Sequence, residues 1–294
     1  MSTEVASKRF DNVESWSTED AVDAMIEGQL SAIASIRPLS ALIAAAASAA
    51  AERLGDHGRL VYVGAGTSGR VAAQDGIELH PTYGWPKARL GYVLAGGLRA
   101  LVESIEGAED DTDAGANEIE KLDVDENDVV IGVAASGKTP FTIAALEAAR
   151  RKGALTMGIV NNEAAPLLDA AEIGLVANTG SEIIAGSTRM KAGTAQKAIL
   201  NILSTTIMLR LGKVHKGLMV NMLVSNEKLR RRGAEIVRMI SGIPMEQADK
   251  ALIEANDHIP TAVLIGLGIG KNRAAAILEQ NRGHLGASID TLAR

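Results

Sequence analysis

The stretch Leu60–Glu78, LVYVGAGTSGRVAAQDGIE, constrains this chain more than any other. Leu60-Val61-Tyr62-Val63 is a short, apolar, β-branched run suited to a buried parallel strand. Gly64-Ala65-Gly66-Thr67-Ser68-Gly69 follows, and a helical segment begins at Arg70. Glycine lets the backbone turn sharply and approach a ligand closely. The first N–H groups of a new helix favour an anion. With the hydroxyls of Thr67 and Ser68 added, Gly66, Thr67 and Ser68 have the build of a phosphate cradle.

Gly64, Gly66 and Gly69 also fit G-x-G-x-x-G, the dinucleotide fingerprint. That fingerprint needs a carboxylate at the end of the next strand to hold a ribose. The next strand candidate, Leu90–Leu94, ends in Ala95-Gly96-Gly97, which offers none. A nicotinamide or flavin site is therefore disfavoured, as is a tight turn without a ligand, since the two extra hydroxyls suit a phosphate.

A second unit of the same design follows. Asp128–Ala134 is a buried strand, Ala135-Ser136-Gly137-Lys138-Thr139-Pro140 its turn, and Phe141–Arg151 its helix, with Pro140 where a first helical turn accepts proline. Two such loops in one sheet predict one ligand held from two sides at the carboxyl ends of the strands. Gly132–Thr139 also spells G-x-x-x-x-G-K-T, but Gly132 lies inside the apolar run rather than after it. No apolar run ending in Asp supplies a Mg²⁺-holding strand, so an NTPase is disfavoured.

Further strands are expected at Leu155–Val160 and Ile173–Ala177. Ser181–Lys191 then sets Ser187, Thr188, Arg189 and Lys191 ahead of a long apolar helix, Ala192–Leu211. Hydroxyl and basic groups at a helix start favour an anion; the alternative is a capping segment with its charges in solvent. Ahead of the sheet, Ser17 would cap a helix over Ala21–Ile36, with Ala21, Met25, Leu30, Ile33 and Ile36 available for burial. Pro38 breaks it, and Leu39–Leu54 forms an alanine-rich second helix. Helices are also expected over Leu98–Ile105, Ala114–Leu122 and Asn226–Ile240, and a small bundle over Met245–Ala255, His258–Leu267 and Lys271–Glu279. Pro81, Gly84 and Pro86 predict a loop, and Gly266–Lys271 a plain link between helices.

With 294 residues there is room for one large domain and a small one. Only 2% of residues are aromatic, so the core must be built from Ala, Val, Ile and Leu. A net charge of -6 does not suggest a nucleic-acid partner. There is no cysteine, hence no disulfide, thiolate metal site or cysteine nucleophile, and the five histidines lack metal-ligand spacing. The polar start is no signal peptide, and no apolar run is long and uninterrupted enough to cross a membrane. These features lead to the expectation of a cytoplasmic protein without a metal site.

Strands alternating with helices imply a doubly wound parallel sheet. The paired Ser/Thr-Gly turns resemble those of sugar isomerase (SIS) domains, which bind phosphosugars on a flavodoxin-like αβα sandwich. Four segments narrow the likeness: Gly64–Arg70 (GAGTSGR), Glu106–Asp111 (EGAEDD), Ala134–Pro140 (AASGKTP) and Ser181–Lys197 (SEIIAGSTRMKAGTAQK). Together they resemble the N-acetylmuramic acid 6-phosphate etherases, over nearly the whole chain. The resemblance implies N-terminal helices over 1–54, a SIS domain over 55–240 and a small helical, UBA-like domain over 241–294.

That family cleaves the D-lactyl ether of its substrate by elimination and rehydration, without metal or organic cofactor, as homodimers in peptidoglycan recycling. Its two functional glutamates fall here on Glu78 and Glu109. The chemistry asks for such a pair: a base for the C2 proton beside the aldehyde, and an acid for the lactyl oxygen at C3. The resemblance implies Glu78 as acid and Glu109 as base, with the reverse assignment open. Ser68, Ser136 and Thr139 would hold the 6-phosphate, with Gly66, Thr67, Gly137, Ser187 and Arg189 completing the substrate site. The chain departs from the family pattern over Val71–Ile77, at His80, at Lys138 and in an N-terminal signature reduced to Thr3-Glu4. A non-catalytic phosphosugar sensor, as in the related glucokinase regulatory protein, and a phosphosugar isomerase are the alternatives. Neither needs an acid for an ether oxygen.

Overall fold

Five short runs of Val, Ile, Leu and small residues pair into one parallel sheet in the computed structural model, which describes residues 2–292. They are β1 (Leu60–Gly64), β2 (Leu90–Leu94), β3 (Val129–Ala134), β4 (Leu155–Val160) and β5 (Ile173–Val176). The order is β2-β1-β3-β4-β5, with every neighbouring pair parallel. β1, β3 and β4 are buried along their whole length, which is why they read as continuous apolar runs. This is the doubly wound α/β fold that the sequence predicts.

The helices are α1 (Thr18–Ala34), α2 (Ser40–Leu54), α3 (Gly66–Tyr83), α4 (Thr112–Lys121), α5 (Pro140–Arg151), α6 (Leu167–Ala170) and α7 (Lys191–Arg210). After them come α8 (Glu227–Ser241), α9 (Met245–Glu254), α10 (Ile259–Gly266), α11 (Lys271–Gln280) and α12 (Leu285–Leu292). The chain divides into two compact units. The first holds the residues up to Gly76 together with Ala88–Thr206; the second holds Ile77–Lys87 and the residues from Ile207 on.

In the first unit, Val61, Val63, Val93 and Val130 share a core with Ile119 of α4 and Phe141, Ala145, Leu146 and Ala149 of α5. Alanine at so many contacts lets helices lie close to the sheet, which is how a chain nearly free of aromatics fills its core. On the opposite pleat, Tyr62 and Tyr92 stack under α3 at Gly76, where a Cβ would come within 2.7 Å of the Tyr62 ring. The amino-end edge of the sheet is tied by Arg59, which donates to both carboxylate oxygens of buried Asp128 and to the carbonyls of Leu122 and Asp123. In the second unit Val220, Val237, Leu252, Ile259, Val263 and Leu285 form a separate core. Gly84 belongs to it, since a Cβ there would stand 2.7 Å from the Asn221 carbonyl oxygen.

Several local expectations change. α1 begins at its Ser17 cap as predicted, but Leu30 is 67% exposed and Ile33 48% exposed. An apolar helix face declares that it can be buried, not that its own chain buries it. Pro38 sits in a 3₁₀ turn, Arg37–Leu39, rather than a break. Thr18–Leu54 is thus one helical run that is long and apolar enough to cross a membrane by length and composition, contrary to the sequence reading. Its second half is occupied otherwise, because Ile43, Ala46, Ala47, Ala50 and Leu54 of α2 are buried. α3 runs through Pro81, whose carbonyl accepts from Leu223 N at 3.0 Å, so the predicted loop starts later. Leu98–Ile105 yields only a 3₁₀ turn, Leu98–Leu101. The Arg70 guanidinium takes the Ala100 and Glu103 carbonyls there.

The second unit carries a pH dependence. Burial, with Lys213 nearby, holds the His258 imidazole below its ordinary value of 6.5, and burial with Lys216 and His284 does the same to His215. The unfolded chain then takes up protons more readily than the folded one. The stabilisation is present above about pH 6.5 and is lost as the pH falls below it. The melting temperature of the second unit should drop between about pH 7.5 and 5.5, and drop less in His258→Gln. An equal drop in both proteins would contradict this.

Candidate active site

The strand order reverses between β1 and β3, so the turns after these two strands flank the switch point where ligands of such sheets bind. The first turn is fixed by close backbone contact. A Cβ at Gly64 would lie 2.9 Å from Gly69 Cα, and one at Gly69 would lie 2.8 Å from the Gly64 carbonyl oxygen. Gly66 has φ 52°, the left-handed region that favours glycine, and α3 starts there. Ser68 is buried behind it and Thr67 half-buried.

The second turn is built alike. Gly137 has φ 64°, and a Cβ there would come within 2.3 Å of Ala165 Cβ. Ser136 Oγ accepts from Lys138 N at 3.1 Å, which leaves its own proton to donate. Thr139 is the N-cap of α5, yet its side chain makes no capping bond. Its hydroxyl is therefore not spent on the helix. Gly132, the first glycine of the P-loop spelling, lies within β3, where a Cβ would meet Leu146 Cδ1 at 2.6 Å. It serves strand–helix packing, not phosphate.

The third segment departs from the sequence reading. Glu182, 1% exposed, accepts from Lys191 N at 3.0 Å and from Ala192 N at 2.9 Å. Gly193 N and Thr194 N donate to the Thr188 and Met190 carbonyls. The anion at the start of α7 is thus this buried carboxylate, and the helix donors expected to serve a ligand are taken. Lys191 Nζ donates to the Ser181 carbonyl at 2.8 Å, and burial lowers its pKa, against which Glu182 acts. Ser187 is half-buried and Arg189 exposed. The segment does meet the first turn: a Cβ at Gly193 would stand 3.3 Å from Thr67 Cγ2.

Glu109 lies in a 3₁₀ turn, Ala108–Asp110, on the wall of a cavity of about 200 Å³ that also takes in Ala65, Gly66, Arg70 and Glu106. The acidic stretch therefore borders the first cradle. Arg70 holds that border by its bonds to the Ala100 and Glu103 carbonyls, at 3.0 and 2.9 Å. Glu78 is exposed on α3. One turn before it, Asp75 is 1% exposed and accepts from Tyr62 Oη at 3.1 Å and Asn201 Nδ2 at 3.2 Å. This carboxylate pins α3 to β1 and α7, and with burial it pushes both tyrosines up, Tyr92 to about 12. Asp75 and Glu182 are the site's principal buried carboxylates. Nothing in their spacing marked them: Asp75 bonds Asn201, 126 residues on, and Glu182 bonds backbone N–H groups, which carry no side-chain signal. Among the described residues, no group of three or more His, Asp or Glu could hold a metal.

Sheet order and paired turns define a SIS-domain protein, and comparison with known proteins agrees. Residues 42–150 match the family model described as glucokinase regulatory protein N-terminal SIS domain, and residues 112–205 the SIS domain model. The fold is shared with a candidate phosphosugar isomerase involved in capsule formation from Bacteroides fragilis, at TM-score 0.53 and 20% identity over 67% of this chain and 93% of that one. The N-acetylmuramic acid 6-phosphate etherase of Deinococcus radiodurans is 42% identical over 96% of this chain and 93% of its own. That of Symbiobacterium thermophilum is 50% identical over 76% and 74%. The chain belongs to the N-acetylmuramic acid 6-phosphate etherase family.

Glu182→Ala should destabilise the first unit by about 2–3 kcal/mol, because it removes two bonds to a charged acceptor and leaves helix donors buried. A denaturation midpoint shifted by the equivalent of less than about 0.5 kcal/mol would show that another group caps α7.

Proposed function

We propose that the chain is a carbon–oxygen lyase that cleaves the D-lactyl ether of N-acetylmuramic acid 6-phosphate, giving N-acetylglucosamine 6-phosphate and D-lactate. The observation that carries this is the pairing of two hydroxyl-bearing turns at the switch point with retention of both family glutamates. Ser68, Ser136 and Thr139 hold the phosphate, with the backbone of Gly66, Thr67 and Gly137 around it and Ser187 and Arg189 toward the sugar. Glu109 takes the C2 proton of the open-chain sugar. The C3–oxygen bond breaks as Glu78 gives a proton to the lactyl oxygen, and D-lactate leaves an unsaturated aldehyde. Water then adds at C3 while a proton returns to C2. We take the reaction to be cytoplasmic, since a phosphorylated sugar does not cross membranes unaided and is used where it is made.

We also propose a homodimer with shared sites. Glu78 lies roughly three turns, about 15 Å, along α3 from Ser68, farther than a hexose phosphate held at Ser68 reaches. That favours service of each Glu78 to the cradle of a second copy. Neither glutamate is covered by its own chain, and Ile77 beside Glu78 is 53% exposed. Val22, Ile26, Leu30 and Ile33 form an exposed apolar stripe on α1, with Leu42 nearby in sequence also exposed. The apolar face of α7 is largely buried in the single chain, with Ile202 and Leu209 left out.

Ser68→Ala and Ser136→Ala should each weaken binding of N-acetylglucosamine 6-phosphate by about 1.5–3 kcal/mol. Unchanged calorimetric affinity in the double variant would remove the phosphate from these turns. Glu109→Gln should stop exchange of the C2 proton with deuterated solvent, whereas Glu78→Gln should stop lactate release and keep some exchange. Each loss should be about 10²–10⁴-fold. Mixing the two inactive variants should restore lactate release, because a mixed dimer has one site with both glutamates intact. A mixture as inactive as its components would place both glutamates at a site within one chain.

A further inference from the structure

From Thr3 to Trp16 the N-terminal arm lies at the surface as 3₁₀ turns, and every residue after Thr3 in it is half-buried or exposed. Thr3 is 0% exposed. A lone buried residue on an exposed arm is held for a reason, and a hydroxyl there needs a partner. Asn162 Nδ2 donates to Thr3 Oγ1 at 3.1 Å, and the same amide donates to the Ala135 carbonyl at 2.9 Å. Gly186 N donates to the Thr3 carbonyl at 3.1 Å.

Each of these partners sits beside a binding segment. Ala135 follows β3 and precedes Ser136. Asn162 lies just past β4 and is itself buried. Gly186, with φ 75°, precedes Ser187. Thr3 therefore joins the Ser136 turn, through Asn162, to the Ser187 segment, through Gly186. The tie is compact: Glu4 Oε2 stands 3.0 Å from where a Cβ on Gly186 would be. Glu182 fixes the far end of the same segment to α7, so Thr3 and Glu182 hold it from both sides.

We propose that Thr3 is a positioning residue for the phosphosugar: it straps the Ser187 segment to the Ser136 turn, so that both are set before the ligand arrives. The inference rests on the phosphosugar reading of those two loops. It adds to that reading a role for the arm, which touches no reacting atom. A preset loop lowers the ordering cost of binding without altering the chemical step. The strap should therefore act on affinity and KM and leave kcat nearly unchanged.

The test uses Thr3→Val, which keeps the shape and the backbone carbonyl but removes the hydroxyl, and Thr3→Ser, which keeps the hydroxyl. In Thr3→Val, hydrogen exchange over residues 181–190 should quicken. Affinity for N-acetylglucosamine 6-phosphate should fall about three- to tenfold, the scale of one net hydrogen bond, with kcat on the etherase substrate close to the parent value. Thr3→Ser should match the parent in all three. Unchanged exchange in Thr3→Val, an equal change in Thr3→Ser, or faster exchange with unaltered affinity would each overturn the proposal. A parent protein that does not bind the sugar, while the exchange difference persists, would support the strap and overturn the site reading instead.

Discussion

The site depends on how closely β1 and β3 can lie with their turns side by side. Parallel pairing brings Gly64, the last residue of β1, opposite Val133, the last but one of β3. At that height Gly64 and Gly69 touch through backbone alone, and Gly137 fills the space against Ala165. Any side chain at these positions would push the turn off the strand end. Two hydroxyl-bearing loops can share one ligand only because their backbones pack where side chains are missing. The glycines thus act first on packing, and the proposed phosphate cradle follows from it.

Charge is allotted with equal strictness. A site for a dianionic group next to several helix starts risks binding its own carboxylates, and here Asp111 caps α4 while a second carboxylate caps α7. Glu182 fills the start of α7 and so removes it from competition for the ligand. Asp75 is satisfied by Tyr62 and Asn201 and stays inside. Glu78 and Glu109, the pair proposed for proton transfer, are both left at the surface. A buried, fully bonded carboxylate holds structure; one left open to substrate or partner can exchange protons.

The sheet was legible in the sequence because burial on both faces leaves uninterrupted apolar runs. All five strands could be placed, as could the two turns, where glycine and hydroxyl residues follow a strand directly. What escaped depends on partners far along the chain. Leu98–Ile105 has helical composition, yet Arg70 claims carbonyls that a helix would need. α1 has an apolar face that its own chain leaves open, which periodicity cannot foretell. Helix α12 was missed at the end of the bundle, and Pro81 was read as part of a loop although α3 runs through it to Tyr83. Thr3 acts over a distance in sequence that no local motif spans, and Glu182 bonds backbone N–H groups, which no residue type announces. The roles proposed for Glu78 and Glu109 came from the family likeness and not from spacing.

The central claim is that the chain breaks the C3–oxygen bond of the sugar by elimination and then adds water at C3. Reaction of N-acetylmuramic acid 6-phosphate in oxygen-18 water, followed by mass spectrometry of both products, tests it most directly. The account predicts label on the C3 oxygen of N-acetylglucosamine 6-phosphate and an unlabelled hydroxyl in D-lactate. Label in the lactate hydroxyl, or no lactate at all from the intact protein, would contradict it.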